Sequence, residues 1–209
     1  MPKYLNKEKN LFQESLDSFI YVDKSPLIEI LNKCIKTKQK YFCLSRPRRF
    51  GKSVTAQMLC SYYSRGEDSS SQFDSLKIEK SPSYKKHLNQ YNVIFINMSL
   101  EFNSARHDVN QMISSVTSSI VKELKEAYPQ VVFNSPDKLY EALDDVFSVS
   151  KVPFVFIIDE WDRIMREKKE DAQSLKLYLE WLEGIFKDQS YIALAYMTGI
   201  LPIKKYGNQ

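Results

Sequence analysis

The sequence of 209 residues is poor in the residues that mark several classes of protein. Five glycines are too few for a collagen-like or low-complexity chain, and 27% charged residues is ordinary for a globular protein. The three cysteines, Cys34, Cys43 and Cys60, form an odd set without CxxC spacing. That argues against a disulfide framework and reads them as structural thiols. The two histidines, His87 and His107, lack a cysteine or second histidine at ligand spacing. A histidine-built metal centre is therefore not expected, and both are expected at the surface. No basic leader followed by an apolar stretch opens the chain, and apolar runs such as Phe154 to Ile158 are far shorter than a membrane span. The expected location is cytoplasmic, with no membrane partner. A net charge of +4, with lysines spread along helix faces, does not indicate nucleic acid as a partner.

What is present suits one sizeable core: 43% of residues are hydrophobic and 13% aromatic. Short continuous apolar runs at Tyr41 to Leu44, Asn92 to Asn97, Pro153 to Ile158 and Tyr191 to Met197 read as strands buried on both faces. Between them, three- and four-residue apolar spacing predicts helices over Val54 to Tyr63, Tyr84 to Leu88, His107 to Tyr128, from Ser135-Pro136 through Val146, and Ala172 to Lys187. Ahead of the first strand, Leu5 to Ile20 reads as a helix. A second begins at Ser25-Pro26, N-cap and first-turn proline. Glu67 to Gln72 reads as a solvent loop. Such alternation predicts a three-layer α/β fold: a mainly parallel sheet with helices on both faces, plus an N-terminal helical extension.

The most informative stretch is Arg46-Pro47-Arg48-Arg49-Phe50-Gly51-Lys52-Ser53, set between the first strand and its helix. This is the place and pattern of a phosphate-binding P-loop, GxxxxGK[ST], with Arg46 at the first glycine position. Gly51 lets backbone N–H groups turn around a phosphate without a Cβ in the way. Lys52 offers a point charge to the β- and γ-phosphates, Ser53 a hydroxyl for Mg²⁺, and Val54 continues into a helix whose positive end faces the same anion. Arg48 and Arg49 can reach phosphate or a partner, or stand solvated, and carry no catalytic assignment.

The third strand ends in Asp159-Glu160, and ligands of open parallel sheets bind at the carboxyl ends of strands. Asp159 is the candidate metal ligand with Ser53, and Glu160 the candidate acceptor of a proton from an attacking water. The fourth strand ends in Thr198-Gly199. Thr198 is placed where a γ-phosphate sensor belongs, although a threonine there also serves as a turn cap.

Three features resemble the predicted AAA-ATPase-like family of bacterial proteins: the Tyr21-Val22-Asp23-Lys24 segment, the eight-residue loop Arg46 to Ser53, and the strand ends Asp159-Glu160 and Thr198-Gly199. The resemblance spans nearly the whole chain. It implies a P-loop ATPase with arginine normal at position 46, ATP and Mg²⁺ as cofactors, and residues 1–38 as an extension of a core at 39–209. Members commonly continue into a region similar to PD-(D/E)XK nucleases, whose acid-acid-lysine arrangement is not seen here. The chain ends at Gln209, soon after Thr198, so a fifth strand and a lid are expected to be missing. Self-association through an exposed edge of the first strand follows as an expected consequence. The function expected is Mg-dependent ATP hydrolysis driving a conformational switch. Its rival is a nucleotide-binding sensor or docking module that does not turn over.

Overall fold

The four apolar runs become one sheet of β1 (Tyr41–Ser45), β2 (Asn92–Asn97), β3 (Phe154–Asp159) and β4 (Ile192–Gly199). The structure, a computed structural model, describes residues 2–7, 10–135 and 137–201. The strand order is β1-β4-β3-β2, and every pairing is parallel. Parallel neighbours need crossovers, which the helices supply. After β1 comes α3 (Lys52–Tyr63), and after β2 come α5 (Met98–Ser104), α6 (Val109–Ala127) and α7 (Leu139–Ser150). After β3 come α8 (Arg163–Glu167) and α9 (Ala172–Phe186). Two helices, α1 (Asn10–Leu16) and α2 (Pro26–Cys34), precede the sheet, and α4 (Tyr84–His87) leads into β2.

Side chains alternate across each strand, so the sheet feeds two cores. Phe154, Phe156 and Ile158 pack with Val116 and Ile120 of α6, Leu143 of α7 and Tyr178 of α9. Val155 and Ile157 face the other way, among Met58 and Leu59 of α3, Phe12 of α1 and Ile28 and Leu31 of α2. The result is the three-layer α/β fold, with the N-terminal helices sharing the α3 core.

Three expectations need correction. The strand read as fully buried at Tyr41 to Leu44 is partly exposed along its length, with Tyr41 at 43%. Among the described residues β1 pairs with β4 alone, so one flank is open. The helix expected over Leu5 to Ile20 is confined to α1. Leu5 instead bridges Ile94, Asn6 N–H donates to Val93 O (2.8 Å), and Phe95 N–H donates to Tyr4 O (3.0 Å). The free edge of β2 takes the segment as a partner for its backbone groups, and local helical spacing does not outweigh that. Phe19 and Ile20 are left exposed. His87, expected at the surface, is buried with Nδ1 2.6 Å from the Tyr91 hydroxyl. Burial lowers its pKa.

Smaller shifts occur at helix ends. Ser25 stands at the N-cap of α2, but its hydroxyl accepts from Ile78 N–H (3.1 Å) instead of capping. His107 has a φ of +64°, so α6 begins after it, capped by Asp108, which accepts from Gln111 N–H (2.9 Å). Helix α7 starts at Leu139, and Pro136 lies outside the described residues. The short helices α5 and α8 were not expected.

Candidate functional site

The loop leaves β1 through Arg46 and enters α3 at Lys52. Arg46, Pro47, Arg48, Arg49 and Phe50 are exposed, Val54 is half-buried, and Lys52 is almost wholly buried. Gly51 has φ +68° and ψ +29°, a left-handed conformation that costs a residue with a Cβ about 1 kcal/mol. Its carbonyl accepts from Thr55 N–H and Thr55 Oγ1, both at 3.0 Å, which holds the turn against α3. The Lys52 ammonium donates to Arg46 O (2.9 Å) and Pro47 O (2.8 Å), spanning the loop. Ser53 is exposed in the first turn of α3, where helix N–H groups lack intrahelical partners. The root of the loop is tied to β4: Arg46 N–H donates to Gly199 O (3.1 Å) and Ser45 Oγ to Leu201 O (2.6 Å).

The acids occupy a different environment. Asp159 is 1% exposed, and its Oδ1 accepts the Thr198 hydroxyl proton. Thr198 is itself fully buried, and its Oγ1 accepts from Glu160 N–H (3.3 Å) while its carbonyl accepts from Trp161 N–H (3.0 Å). Asp159 Oδ2 is buried without a hydrogen-bond partner among the described residues. Such an oxygen is costly to leave alone and is a ready ligand for a cation or water. Glu160 has φ +55°, and its carboxylate lies 3.5 Å from Arg166 Nη2.

Sequence reasoning missed Asp162 and Arg166 here, and it named Lys24 only as part of the Tyr21 to Lys24 segment, without a role. Asp162 is fully buried and accepts from Ile200 N–H (2.9 Å) and Leu201 N–H (2.7 Å), so it fastens the backbone leaving β4. Arg166 joins Asp162 (3.3 Å) to Glu160. Lys24, on the segment before α2, donates to Phe50 O at 2.6 Å. An acid two residues past Glu160 was a visible signal for Asp162. Arg166 follows Asp162 at i,i+4 spacing, a local signal for that pair, whereas nothing local marks Phe50 O as the acceptor for Lys24.

Strand register relates the two halves. Leu44 pairs with Thr198, and one strand over Ile158 pairs with Met197. The root of the loop and Asp159 therefore stand two strand spacings apart, about 10 Å, on the same edge of the sheet. Thr198 lies between them. Asp159, Glu160 and Thr198 form one bonded group; Arg46, Pro47 and Lys52 form another, with Gly51 and Ser53 flanking Lys52. Among the described residues no cluster of three or more His, Cys, Asp or Glu could hold a metal. A Mg²⁺ site needs no such cage, since it draws on one or two protein oxygens plus phosphates and water. Ser53 and Asp159 fit that requirement. Cys43, near the acid end, has its thiol pKa pushed up by burial, which suits a structural role.

A parallel sheet between two helical layers, with a loop of this pattern joining its first strand to a helix, is the fold of P-loop nucleoside triphosphatases. The model of the predicted AAA-ATPase family matches residues 10–207, and the chain belongs to that family. No curated protein and no solved structure matches it. Membership carries nucleotide binding of the ATP type. No helix among the described residues is long and apolar enough to cross a membrane.

Proposed function

We propose that the protein binds ATP with Mg²⁺ and hydrolyses it to drive a conformational switch. The carrying observation is the placement of the loop and the Asp159-Thr198 pair at the same end of neighbouring parallel strands. Backbone N–H groups about Gly51 and the Lys52 ammonium would hold the β- and γ-phosphates. Arg46 to Val54 form the cradle. Mg²⁺, held by Ser53 and Asp159, would neutralise charge on the phosphoryl oxygens. Glu160 would accept a proton from the attacking water at its carboxylate, and Thr198, already bonded to Asp159, would position that water or the γ-phosphate.

The switch has a physical route in Asp162, which ties the backbone of Ile200 and Leu201 to the turn carrying Glu160. The open flank of β1 supports pairing with another segment or a second copy. One observation favours the rival, a module that binds without turnover: Arg166 stands against the Glu160 carboxylate and competes for it. Mg-dependent phosphate release separates the two. Glu160→Gln is expected to lower turnover by about 10²–10⁴-fold while ATP still binds, and Lys52→Ala to weaken binding by about tenfold or more. Wild type and both variants behaving alike would overturn the assignment, and ATP binding by wild type without phosphate release would establish the rival.

A further inference from the structure

The end of the sheet away from the phosphate loop is basic. Helices α2, α4, α7 and α9 stop there, at Cys34, His87, Ser150 and Phe186, shortly before β1, β2, β3 and β4. A cation in the last turn of a helix, such as Lys33 or Lys86, is accounted for by the helix dipole. Lys36, Lys38 and Lys40 are not, since they lie in the connection past Cys34 and the dipole effect fades within the last turn. Lys33 is paired with Glu29 and Lys187 with Glu183. Lys36 and Lys38 are exposed, and among the described residues neither meets a carboxylate.

These cations surround an open cleft of about 690 Å³ between the connection from α2 to β1 and the turn from α9 into β4. Lys36, Lys38, Lys40 and Lys187 line it, and Asp188 is the acid among its lining residues. The Lys40 ammonium donates to Gln189 O and Ile192 O, both at 3.1 Å, which leaves its third N–H for a ligand. The Tyr41 hydroxyl donates to Phe186 O (2.7 Å), and Lys40 Nζ lies 5.4 Å from the ring centre. The ring is therefore held from two sides while Tyr41 stays 43% exposed. Lys36 also acts beyond the cleft. Burial lowers the His87 pKa first, and the charges of Lys86 and Lys36 lower it further, so the positive field runs from β1 across to α4.

We infer that this face binds single-stranded nucleic acid, with the lysines on phosphates and a base stacked on Tyr41. The chain-wide charge of +4 does not signal it; the concentration of cations at one end does. A cleft of this volume is in the range of small-molecule sites, so it admits a short stretch of flexible strand and not a duplex or the face of a folded protein. An exposed, fixed aromatic ring among cations gives a base a stacking platform, which a membrane headgroup or an acidic peptide does not use. Lysine is a point charge without the planar fork of arginine, so the strand is held with little sequence preference. The length of β1, about 15 Å, separates the cleft from the phosphate loop, and the inference does not rest on the proposed ATPase activity.

Fluorescence anisotropy of the whole chain with labelled oligo(dT) and oligo(U) of about 15 nucleotides tests this, and the two strands separate DNA from RNA. Binding to at least one is expected, with the logarithm of affinity falling by about 0.7 per phosphate contact for each decade of salt. Lys36→Glu with Lys38→Glu is expected to weaken binding about tenfold or more. Tyr41→Leu, which keeps an apolar side chain, is expected to weaken it about fivefold or more. Lys122→Glu with Lys176→Glu makes the same charge change at exposed lysines outside the cleft and is expected to shift affinity by less than about threefold. A thermal melt checks that each variant folds. No binding to either strand, cleft or Tyr41 variants that bind as wild type does, or a control pair as damaging as the cleft pair would overturn the inference. Equal or tighter binding of polyglutamate, or of vesicles of phosphatidylcholine and phosphatidylserine, would also overturn it and assign the face to an acidic protein or a membrane.

Discussion

The two halves of the site are built in opposite ways. The acid half ends β3, in which all six residues are buried; Asp159 accepts from the Thr198 hydroxyl, and Thr198 and Asp162 accept from backbone N–H groups of the following turns. The loop half ends β1, a partly exposed edge strand, and its cations rest on the loop's own carbonyls: Lys52 on Arg46 and Pro47, Lys24 on Phe50. A charged hydrogen bond of this kind contributes about 1.5–3 kcal/mol, and an anion that offers better acceptors can replace it. Rebuilding a buried carboxylate network costs more, since every member left unpaired carries a desolvation penalty. The acid half is therefore preorganised, and the loop half is the part that adapts.

The sharpest way to break this comparison is to weaken each supporting strand. Ile157 of β3 is fully buried, and Ile157→Ala is expected to cost about 2–5 kcal/mol. Leu44 of β1 is only partly buried, so Leu44→Ala is expected to cost less than half as much. For a chain of this size each kcal/mol lowers the thermal midpoint by about 2–4 °C, which a calorimetric melt resolves. Equal losses would show that the open flank of β1 is covered and that the loop half is as rigid as the acid half.

The two glycines give a finer version. A Cβ on Gly199 would meet Trp161 Nε1 at 2.8 Å and the Asp162 carboxylate at 3.0 Å, both on buried residues. Gly199→Ala is expected to destabilise by about 1–3 kcal/mol through overpacking. A Cβ on Gly51 would meet only the end of the flexible Lys24 side chain. Gly51→Ala is expected to cost about 1 kcal/mol of backbone strain and to show its effect in ligand binding. A melt in which Gly51→Ala is the more damaging of the two would reverse the assignment of rigid and adaptable halves.

How much of this was legible from residues alone follows the same division. Strands β2, β3 and β4 and helices α6 and α9 announce themselves, because burial on both faces demands an unbroken apolar run and burial on one demands a helical stripe. The loop was legible because Gly51, Lys52 and Ser53 follow a strand and open a helix. What escaped depends on partners distant in sequence. Leu5 joins β2 because that edge is open, β1 is half-exposed because of where it lands in the sheet order, and Lys24 reaches Phe50 only once α2 has packed on α3. His87 is a different case, since its partner Tyr91 lies only four residues on; the spacing was visible, and what the sequence did not show is that packing buries the pair.

The smallest expected effect is a pH dependence confined to the loop half. Burial pushes the Asp23 carboxyl pKa up, but the Lys77 and Ser25 N–H groups and the Ser25 hydroxyl more than offset it, and the net value lies below its ordinary 3.8. A depressed carboxyl means that the unfolded chain takes up the proton first. The stability Asp23 contributes is therefore fully present well above pH 3.8 and drains away as pH falls through its folded pKa. Asp23→Asn keeps the acceptor to one N–H and removes the titration. Its thermal midpoint is expected to fall less steeply than wild type between pH 5 and 3, with a lower starting value at pH 7. Because Asp23 anchors the segment that carries Lys24, nucleotide affinity at pH 7 is expected to drop in the variant by more than the melt alone suggests. Parallel acid melts for the two proteins would show that the segment is held by its apolar contacts, chiefly Tyr21 against Met58, and that the charge at Asp23 is incidental to the shape of the loop half.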